Sequence, residues 1–294
     1  MRPQSFATLA ALVRVGSGLV IGQDKIYLLE TRLAPILKQE RLRDLDALAE
    51  RVKPGGAGEL ERQVIEAMTT NESFFFRDNK PFTHFRNQAL PRLQAARPAS
   101  AMLRIWSAAS SSGQEAYSLG MILAECRATL NGRGVEIVGT DISREQVMRA
   151  REGLYTQFEV QRGLPIQMLM KYFKKDGSNW RLNEAIRSMV SFREWNLLGE
   201  LRPLGQFDVV FCRNVLIYFD GPTKKRALEA IARQMAPDAL LYLGGAETVL
   251  GITDRFAPVP GESGVYMPVA PSGERAAGRI PERPAPMLAV AASR

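Results

Sequence analysis

A loop of very small side chains is the first part of this sequence whose residue types suit a chemical role. Residues 106–115 read Trp-Ser-Ala-Ala-Ser-Ser-Ser-Gly-Gln-Glu, between a short predicted strand at 103–106 and a predicted helix at 114–128. Small side chains let the backbone approach a ligand closely, and a helix N-terminus favours negative or polar groups. The loop therefore suits a nucleotide, although it lacks the G-x-G-x-x-G pattern of pyrophosphate-binding dehydrogenases. A close-packed turn is the alternative interpretation.

Asp141 is the second candidate, because it lies at the end of a predicted strand at 135–142. A carboxylate there can accept hydrogen bonds from both ribose hydroxyls of an adenosine cofactor, as acidic residues do in dinucleotide-binding folds. The alternative role for Asp141 is to cap the helix that follows. Because Ser143 already fills that role, in a sequence that fits a capping box with Gln146, we expect Asp141 to bind the ligand.

Two further predicted strands end in polar residues. Arg213 and Asn214 follow the apolar strand 207–212, and Asn196 follows the strand 189–192. Open α/β sheets bind ligands at the carboxyl ends of their strands, so several polar strand ends favour one shared binding site. Taken singly, Asn214 could be a turn former.

A fourth candidate lies at 69–77, where polar residues flank three consecutive phenylalanines. One face of this segment can be buried between two parts of the chain, while Asn71, Ser73 and Arg77 point into a cleft. A linker with one amphipathic face is the alternative interpretation.

The histidine count and the net charge limit the chemistry. The chain has one histidine, His84, so a His-rich metal site is excluded and neither a metal nor imidazole catalysis is expected. We expect His84 itself on the surface or at a helix cap. The net charge is +8 and the pI about 9.7, thinly spread along the sequence. This charge fits an acidic partner at the N-terminal third, or simply a basic surface.

The cellular setting follows from the cysteines and from what the sequence lacks. Cys126 and Cys212 lie in apolar segments, which predicts buried free thiols in a reducing cytosol. No stretch of about 18 apolar residues and no signal-peptide pattern occurs. We therefore expect a cytoplasmic protein without membrane insertion.

The elements that must position the candidate residues fall into two parts. Residues 24–69 show helical apolar stripes, with Asp24 as an N-cap and Pro35 expected to kink or interrupt a helix. No strand pattern occurs before residue 100. From residue 103, strands alternate with helices and continue to strands at 239–244 and 264–267. This order predicts a doubly wound, mainly parallel α/β sheet.

Two segments depart from the alternation of strands and helices. Residues 172–182 predict a hairpin with Gly177 at its turn, which fits a small β insertion better than another crossover helix. Residues 270–294 are rich in Pro, Ala, Gly and Arg and predict a disordered tail.

Five segments together resemble the CheR family, whose members are chemoreceptor glutamate O-methyltransferases that use S-adenosylmethionine. They are residues 70–77, 106–118, 139–142, 196–198 and 211–219, in the family's order. The resemblance spans about residues 10–268, and five motifs in order are far more specific than any one.

The resemblance implies three structural parts. The first is an N-terminal all-helical receptor-docking domain with a linker, at 1–78. The second is a class I S-adenosylmethionine-dependent methyltransferase domain, Rossmann-like, at 79–269. The third is a small antiparallel β-subdomain inserted in it at about 172–191.

The resemblance also implies the site residues. Those that line the S-adenosylmethionine site by motif position are Asn71, Ser73, Arg77, Glu115, Asp141, Asn196, Leu197, Arg213 and Asn214. Tyr218 falls at the family's tyrosine near the reacting methyl group, although it could also be merely a half-buried aromatic. Arg77 and Tyr218 are the candidates for orienting the reacting groups.

The sequence departs from the family's usual motifs at a few positions. Ala109 and Ser110 stand where Gly-Cys is common, Gln114 where Glu is usual, Ala116 where Pro is usual, and Ser73 where Thr is frequent. These changes are mild, and they keep Glu115, so we expect cofactor binding to be retained.

The implied reaction and partners are consistent with the composition. A glutamate carboxylate, with a pKa of about 4.3, is already ionised at neutral pH, so methyl transfer to it needs no general base. The product is S-adenosylhomocysteine, and the implied partner is the acidic methylation helices of a receptor's cytoplasmic bundle, docked on the basic N-terminal helices. A receptor C-terminal peptide can add a strand to the β-subdomain in this family, but the short turn at 176–179 predicts weak or absent tethering. We expect a monomer and no nucleic-acid partner.

Two other functions stay open at this point. A nucleic-acid methyltransferase would suit the high pI, but the sequence has no RNA-binding module and no Asn/Asp-Pro-Pro-aromatic motif. A non-catalytic S-adenosylmethionine-binding sensor or scaffold is the second. Intact site residues argue against that loss of activity, namely Asn71, Arg77, Glu115, Asp141 and Asn214.

Overall fold

Four helices form the N-terminal part of the protein. A computed structural model describes residues 1–269, and the tail predicted at 270–294 lies outside the described residues. The four helices are α1 Pro3–Ser17, α2 Ile26–Gln39, α3 Leu45–Arg51 and α4 Glu59–Met68. Their apolar stripes meet in a core of their own that includes Leu9, Leu12, Leu29, Leu33, Leu48 and Val64. Within residues 1–100 the only strand-like contact is one isolated bridge at Leu19, as expected for a helical part.

Three details of this part differ from the sequence-based expectation. Helix α1 has no predicted counterpart. Pro35 lies inside α2 without interrupting it, because Leu33 and Ile36 on either side are buried in the helical core and outweigh the one backbone hydrogen bond that proline loses. Asp24 is not the N-cap of α2, since it lies in a 3₁₀ turn, Gln23–Lys25, that leads directly into Ile26.

The rest of the described chain alternates helices and strands. The helices are α5 Lys80–His84, α6 Leu90–Ala95, α7 Gln114–Glu125, α8 Arg127–Leu130, α9 Arg144–Glu152, α10 Gln157–Gln161, α11 Ile166–Tyr172, α12 Glu184–Arg187 and α13 Gly221–Arg233. The strands are β1 Leu103–Ala108, β2 Val135–Asp141, β3 Leu154–Thr156, β4 Phe173–Asp176, β5 Asn179–Leu182, β6 Val190–Glu194, β7 Phe207–Cys212, β8 Met235–Leu243, β9 Phe256–Pro258 and β10 Val265–Pro268.

Seven of these strands form one twisted sheet in the order β6-β2-β1-β7-β8-β10-β9. Strands β6, β2, β1, β7 and β8 are parallel, and β10 is antiparallel to β8 and β9. Consecutive side chains enter different apolar clusters: Ile105 and Val209 belong to one, Trp106 and Val210 to the other. Because successive side chains of a strand point to opposite faces, both faces of the sheet are covered. The predicted doubly wound, mainly parallel α/β sheet is confirmed.

A second, small antiparallel sheet is inserted between α9 and β6. Its order is β3-β5-β4, and the predicted hairpin is formed by β4 and β5 with Gly177 at φ +59° in the turn. The third strand, β3, pairs with β5 and has no predicted counterpart. The insertion predicted at about 172–191 therefore starts too late, and its last two residues belong to β6 of the main sheet.

The end of α1 joins the helical part to the main sheet. Arg14 Nη2 lies 2.6 Å from Asp220 Oδ2, at the start of α13. Two residues after α1, Leu19 forms a bridge with Phe219, and the backbone N–H of Val20 donates to the carbonyl of Tyr218 at 3.0 Å. The two parts are thus connected directly beside a predicted site residue.

The single histidine is buried rather than exposed. His84 ends α5, and its Nδ1 lies 2.8 Å from the hydroxyl of Tyr242 in β8. The expected surface or capping role is wrong, because α5 packs its aromatic face onto the sheet. Cys126 and Cys212 are both free and buried, as expected. No helix within residues 1–269 is long and apolar enough to cross a membrane.

Candidate active site

One cleft lies at the carboxyl ends of β1, β2, β6 and β7, and all ten predicted site residues line it. It encloses about 930 Å³ of space that is continuous with solvent. The ten residues are Asn71, Ser73, Arg77, Glu115, Asp141, Asn196, Leu197, Arg213, Asn214 and Tyr218. Residues up to 147 positions apart in sequence thus meet at the edge where open α/β sheets bind ligands.

Asp141 is buried at the end of β2 and connects two turns. Its Oδ2 accepts the backbone N–H of Ser111 at 2.8 Å, and its Oδ1 accepts that of Ser143 at 2.9 Å. Burial raises the pKa of Asp141, and these N–H groups partly oppose that shift. Ser143 caps α9 as predicted, but Asp141 rather than Gln146 accepts the backbone N–H of Ser143. The predicted capping box is therefore only half formed, and Asp141 serves the turn as well as the cleft.

Glu115 and Arg213 form a charge pair behind the cleft. One carboxylate oxygen of Glu115 accepts the hydroxyl of Ser107 at 2.8 Å, and the other accepts Nη1 of Arg213 at 3.0 Å. Burial raises the pKa of Glu115, and the positive charge of Arg213 opposes that shift. Arg213 Nη2 also donates to Asp78 Oδ2 at 2.6 Å and to the carbonyl of Arg77 at 2.9 Å. The side chain of Arg213 therefore joins α7 to the segment at 77–78.

Asn196 connects the cleft to the helical part. Its side-chain amide donates to the carbonyl of Gly16 in α1 at 2.6 Å, and its Oδ1 accepts the backbone N–H of Leu198 at 2.9 Å. A residue expected only at the cofactor thus also fixes the end of α1.

The segment at 69–77 has both of the features that the sequence suggested. Phe75 is fully buried, and its ring meets the edges of Tyr155 and Phe173 in the inserted sheet at 5.0 and 5.6 Å between centroids. Asn71, Ser73 and Arg77 line the cleft. The segment is therefore both a buried connection and one wall of the site.

Residues outside the predicted set hold this segment in place. Arg32, in α2, donates to the carbonyls of Met68 at 2.8 Å and Thr69 at 2.9 Å. Such contacts, 36 and 37 residues apart, leave no pattern in the sequence.

A second contact comes from the inserted part. Arg162 pairs with Glu72 and lies 4.4 Å from the centroid of the Phe74 ring. A Cβ at the next residue, Gly163, would be only 2.1 Å from the carbonyl oxygen of Phe75. This close approach requires glycine, whose φ there is +83°.

Several non-glycine residues around the cleft have left-handed backbone conformations. They are Phe76 at φ +50°, Asp78 at +64°, Ala109 at +57°, Ser111 at +48° and Asn214 at +60°. Such conformations cost free energy and gather at functional sites. Ala109 stands where the family commonly has glycine, so the substitution that appeared mild in the sequence places a Cβ in a strained position.

The chemistry available to the cleft does not include imidazole. His84 is not among the residues that line it. The lining offers buried carboxylates, amides, hydroxyls and the guanidinium of Arg77, which donates to the carbonyl of Glu72 at 3.0 Å. Such a site can bind and orient polar groups, and it suits a reaction whose nucleophile is already ionised.

Comparison with known proteins agrees with this geometry. Residues 71–265 match the family described as CheR methyltransferase, SAM binding domain. The chain is 38% identical over 264 residues to chemotaxis protein methyltransferase Cher2 of Pseudomonas putida, covering 88% of this chain and 96% of that protein. It is 40% identical over 252 residues to chemotaxis protein methyltransferase 1 of Pseudomonas aeruginosa, covering 84% and 91%.

A third relative extends the similarity to another genus. The chemotaxis protein methyltransferase of Vibrio parahaemolyticus is 36% identical over 266 residues, covering 89% of this chain and 95% of that protein. The resemblance found in the sequence is therefore confirmed over both the helical part and the sheet. The chain belongs to the CheR family of S-adenosylmethionine-binding methyltransferases.

Proposed function

We propose that this protein transfers the methyl group of S-adenosylmethionine to glutamate side chains of bacterial chemoreceptors. The observation that carries the proposal is the meeting of all ten predicted site residues in one cleft of a CheR-family chain. The relatives are named chemotaxis protein methyltransferases, which supports receptors of chemotaxis as the substrates.

The residues of the cleft suit the cofactor. Each carboxylate oxygen of Asp141 accepts one backbone N–H and so keeps capacity to accept a ribose hydroxyl. Asn196 and Leu197 follow β6 and would flank the nucleoside, while Asn71, Ser73 and Glu115 would surround the amino-acid portion. When bound, S-adenosylmethionine supplies an electrophilic methyl group at its sulfonium.

The protein's own part in the reaction is alignment. A glutamate carboxylate, with an ordinary pKa of about 4.3, attacks without losing a proton first, so no general base is needed. Arg77 and Tyr218 lie at the cleft and would orient the carboxylate and the methyl group for an in-line displacement. S-adenosylhomocysteine is then the product to be released.

The helical part supplies the docking surface in this proposal. Lys38, Arg41 and Arg43 are exposed around the end of α2. Opposite charge steers association, so these side chains suit the acidic methylation helices of a receptor's cytoplasmic bundle. We accordingly divide the chain into a docking domain with linker at 1–78 and a methyltransferase domain at 79–269, acting as a cytoplasmic monomer.

The test is transfer of label from methyl-tritiated S-adenosylmethionine to a receptor signalling fragment, followed by mild alkali. Methyl esters of glutamate hydrolyse and release volatile methanol, whereas N-methyl and ribose-methyl products do not. Alkali-labile counts on the receptor support the proposal. Cofactor binding without transfer to any receptor contradicts it and favours a sensor or scaffold, and alkali-stable label on RNA would favour a nucleic-acid methyltransferase.

A further inference from the structure

Glu247, in the turn after β8, binds the loop that carries Asn214 and Tyr218. We propose that Glu247 is a positioning residue for methyl transfer, because its carboxylate fixes where that loop places both residues. This inference rests on the proposed function. Neither the motifs of the sequence nor the alternation of strands and helices points to Glu247.

The carboxylate of Glu247 accepts four backbone N–H groups. Oε2 accepts those of Asn214 at 2.8 Å and Gly244 at 2.7 Å. Oε1 accepts those of Val215 at 3.0 Å and Ile217 at 3.2 Å. Three of the four donors belong to the loop after β7, and the fourth, Gly244, directly follows β8. The carboxylate therefore joins the loop to the neighbouring strand.

Burial makes these contacts strong. Glu247 is only 9% exposed, and within residues 1–269 no lysine or arginine forms an ion pair with it. Its charge is balanced by the backbone N–H groups, and hydrogen bonds to a charged acceptor are about twice as strong as neutral ones. The loop can leave this position only by depriving a buried carboxylate of three of its four donors, which is costly.

The surrounding backbone is fitted to this carboxylate. A Cβ at Gly244 would be 2.8 Å from Oε2 of Glu247 and 3.0 Å from the backbone nitrogen of Asn214. Asn214 has a left-handed conformation at φ +60°, which the N–H bond to Glu247 helps to maintain. Tyr218 ends the 3₁₀ turn Leu216–Tyr218 whose middle residue, Ile217, is one of the four donors. Both site residues thus depend on one carboxylate.

Three variants separate positioning from a general loss of structure. Glu247→Gln keeps the size of the side chain but replaces one acceptor oxygen with an NH₂ group that faces N–H donors. Gly244→Ala leaves Glu247 in the chain but crowds both its carboxylate and the side-chain amide of Asn214, which a Cβ there would meet at 2.8 and 2.9 Å. Gly245→Ala is the matched control, because a Cβ there meets nothing within 4 Å. Melting curves establish that each variant is folded at the assay temperature.

The expected result is a change in kcat rather than in the KM for the receptor. Misplacement of the loop should lower kcat at least about tenfold in Glu247→Gln and Gly244→Ala, since small errors in alignment are costly. The KM for the receptor should stay within about twofold, because docking is assigned to the helical part, and Gly245→Ala should match the wild type. An unchanged kcat in Glu247→Gln, or an equal loss in both glycine variants, would overturn the inference.

A second readout does not depend on the receptor. Asn214 lines the cleft, so the dissociation constant of S-adenosylhomocysteine, measured by calorimetry, should rise in Glu247→Gln and Gly244→Ala but not in Gly245→Ala. If the wild type binds S-adenosylhomocysteine but methylates no receptor, the proposed function fails, and this second comparison alone decides the role of Glu247. Equal dissociation constants in all four proteins would then refute that role.

Discussion

The guanidinium of Arg213 and the carboxylate of Glu115 lie 3.0 Å apart behind the cleft, and the side chain of Arg213 is 1% exposed. Removing one partner of such a pair leaves a buried charge without compensation. We therefore expect Arg213→Met to lower the free energy of unfolding by about 3–5 kcal/mol, measured by urea denaturation.

The control for this pair is the double variant Arg213→Met/Glu115→Gln. With both charges removed, part of the lost stability should return, because no unpaired buried carboxylate remains. Cofactor binding should stay weak in the double variant, since Glu115 lines the cleft. A single variant as stable as the wild type would show that the pair contributes nothing.

Ala109→Gly should stabilise the protein. Ala109 has φ +57°, where a Cβ is strained and glycine is not. The expected gain is about 1 kcal/mol, or roughly 2–4 °C in Tm, by thermal denaturation. Ala108→Gly, one residue earlier in β1, should instead lower Tm, because it removes a buried methyl group from an extended strand. A lower Tm for Ala109→Gly would contradict the strain at this position.

Stability should fall as the pH decreases through the range in which a free histidine titrates. Burial lowers the pKa of His84, so the folded protein binds a proton there less readily than the unfolded chain, in which the pKa of histidine is about 6.5. The unfolded state therefore gains protons first, and the free energy of unfolding should decrease from about pH 7.5 to about pH 5.5.

His84→Gln isolates this effect, because the chain has one histidine. Burial raises the pKa of carboxyl groups such as Glu66 and Asp141, which gives a slope of the opposite sign in the acid range. Subtracting the free energy of unfolding of the variant from that of the wild type cancels the contribution of the carboxyl groups. This difference in free energy should decrease as the pH falls. A difference that does not depend on pH would mean that His84 does not titrate as its burial requires.

Charge reversal at Lys38, Arg41 and Arg43 should weaken receptor methylation without affecting cofactor affinity. These side chains are exposed and are not among the residues that line the cleft. We expect a raised KM for the receptor and an unchanged dissociation constant for S-adenosylhomocysteine. An equal loss of receptor methylation and of cofactor affinity would refute the assignment of docking to the helical part and of cofactor binding to the cleft.

Arg32→Glu provides the contrast, although Arg32 lies in α2, the helix that also carries Lys38. Its guanidinium donates to the carbonyls of Met68 and Thr69, next to Asn71. Reversal there should weaken cofactor binding as well as receptor methylation, because the wall of the cleft loses its anchor. The same calorimetric measurement distinguishes it from the exposed positions.

Deleting a receptor's C-terminal peptide should leave methylation within about twofold of its original rate. Strand β4 is an edge of the small sheet and has unpaired backbone groups, but the turn beyond it consists only of Gly177 and Ser178. We expect so short a turn to make few contacts with a bound peptide. A large loss of methylation on deletion would contradict this expectation.

The elements that the sequence predicts well are those whose side chains are buried on both faces. Strand β7 agrees residue by residue with the expected 207–212, because all six of its residues are buried and five of them are apolar, the exception being Asp208, which pairs with Arg97. Strand β3 has only three residues and pairs with β5, 25 residues later. Its existence depends on that distant partner, so no local pattern could reveal it.

The site residues also fall into those that a local pattern marks and those that depend on a distant partner. Motifs located Asp141, Glu115 and Asn214, because these side chains lie at strand ends or helix starts that the chain itself marks. Arg32 and Glu247 were missed, because they bind backbone groups of distant segments, and backbone groups are the same at every position. Likewise, the burial of His84 depends on Tyr242, 158 residues away.

The approach of Gly163 to the carbonyl of Phe75 has a consequence for how this family can diversify. The inserted sheet enters the chain as an extension of one crossover connection, so its strands and turn could be replaced without altering the order of the main sheet. Transplanting the module from a relative would nevertheless succeed only if the graft retained a residue without a side chain at that contact. Whether such a module can be exchanged is therefore decided by the contact of Gly163 with the Phe75 carbonyl, and not by where the strands of the module end.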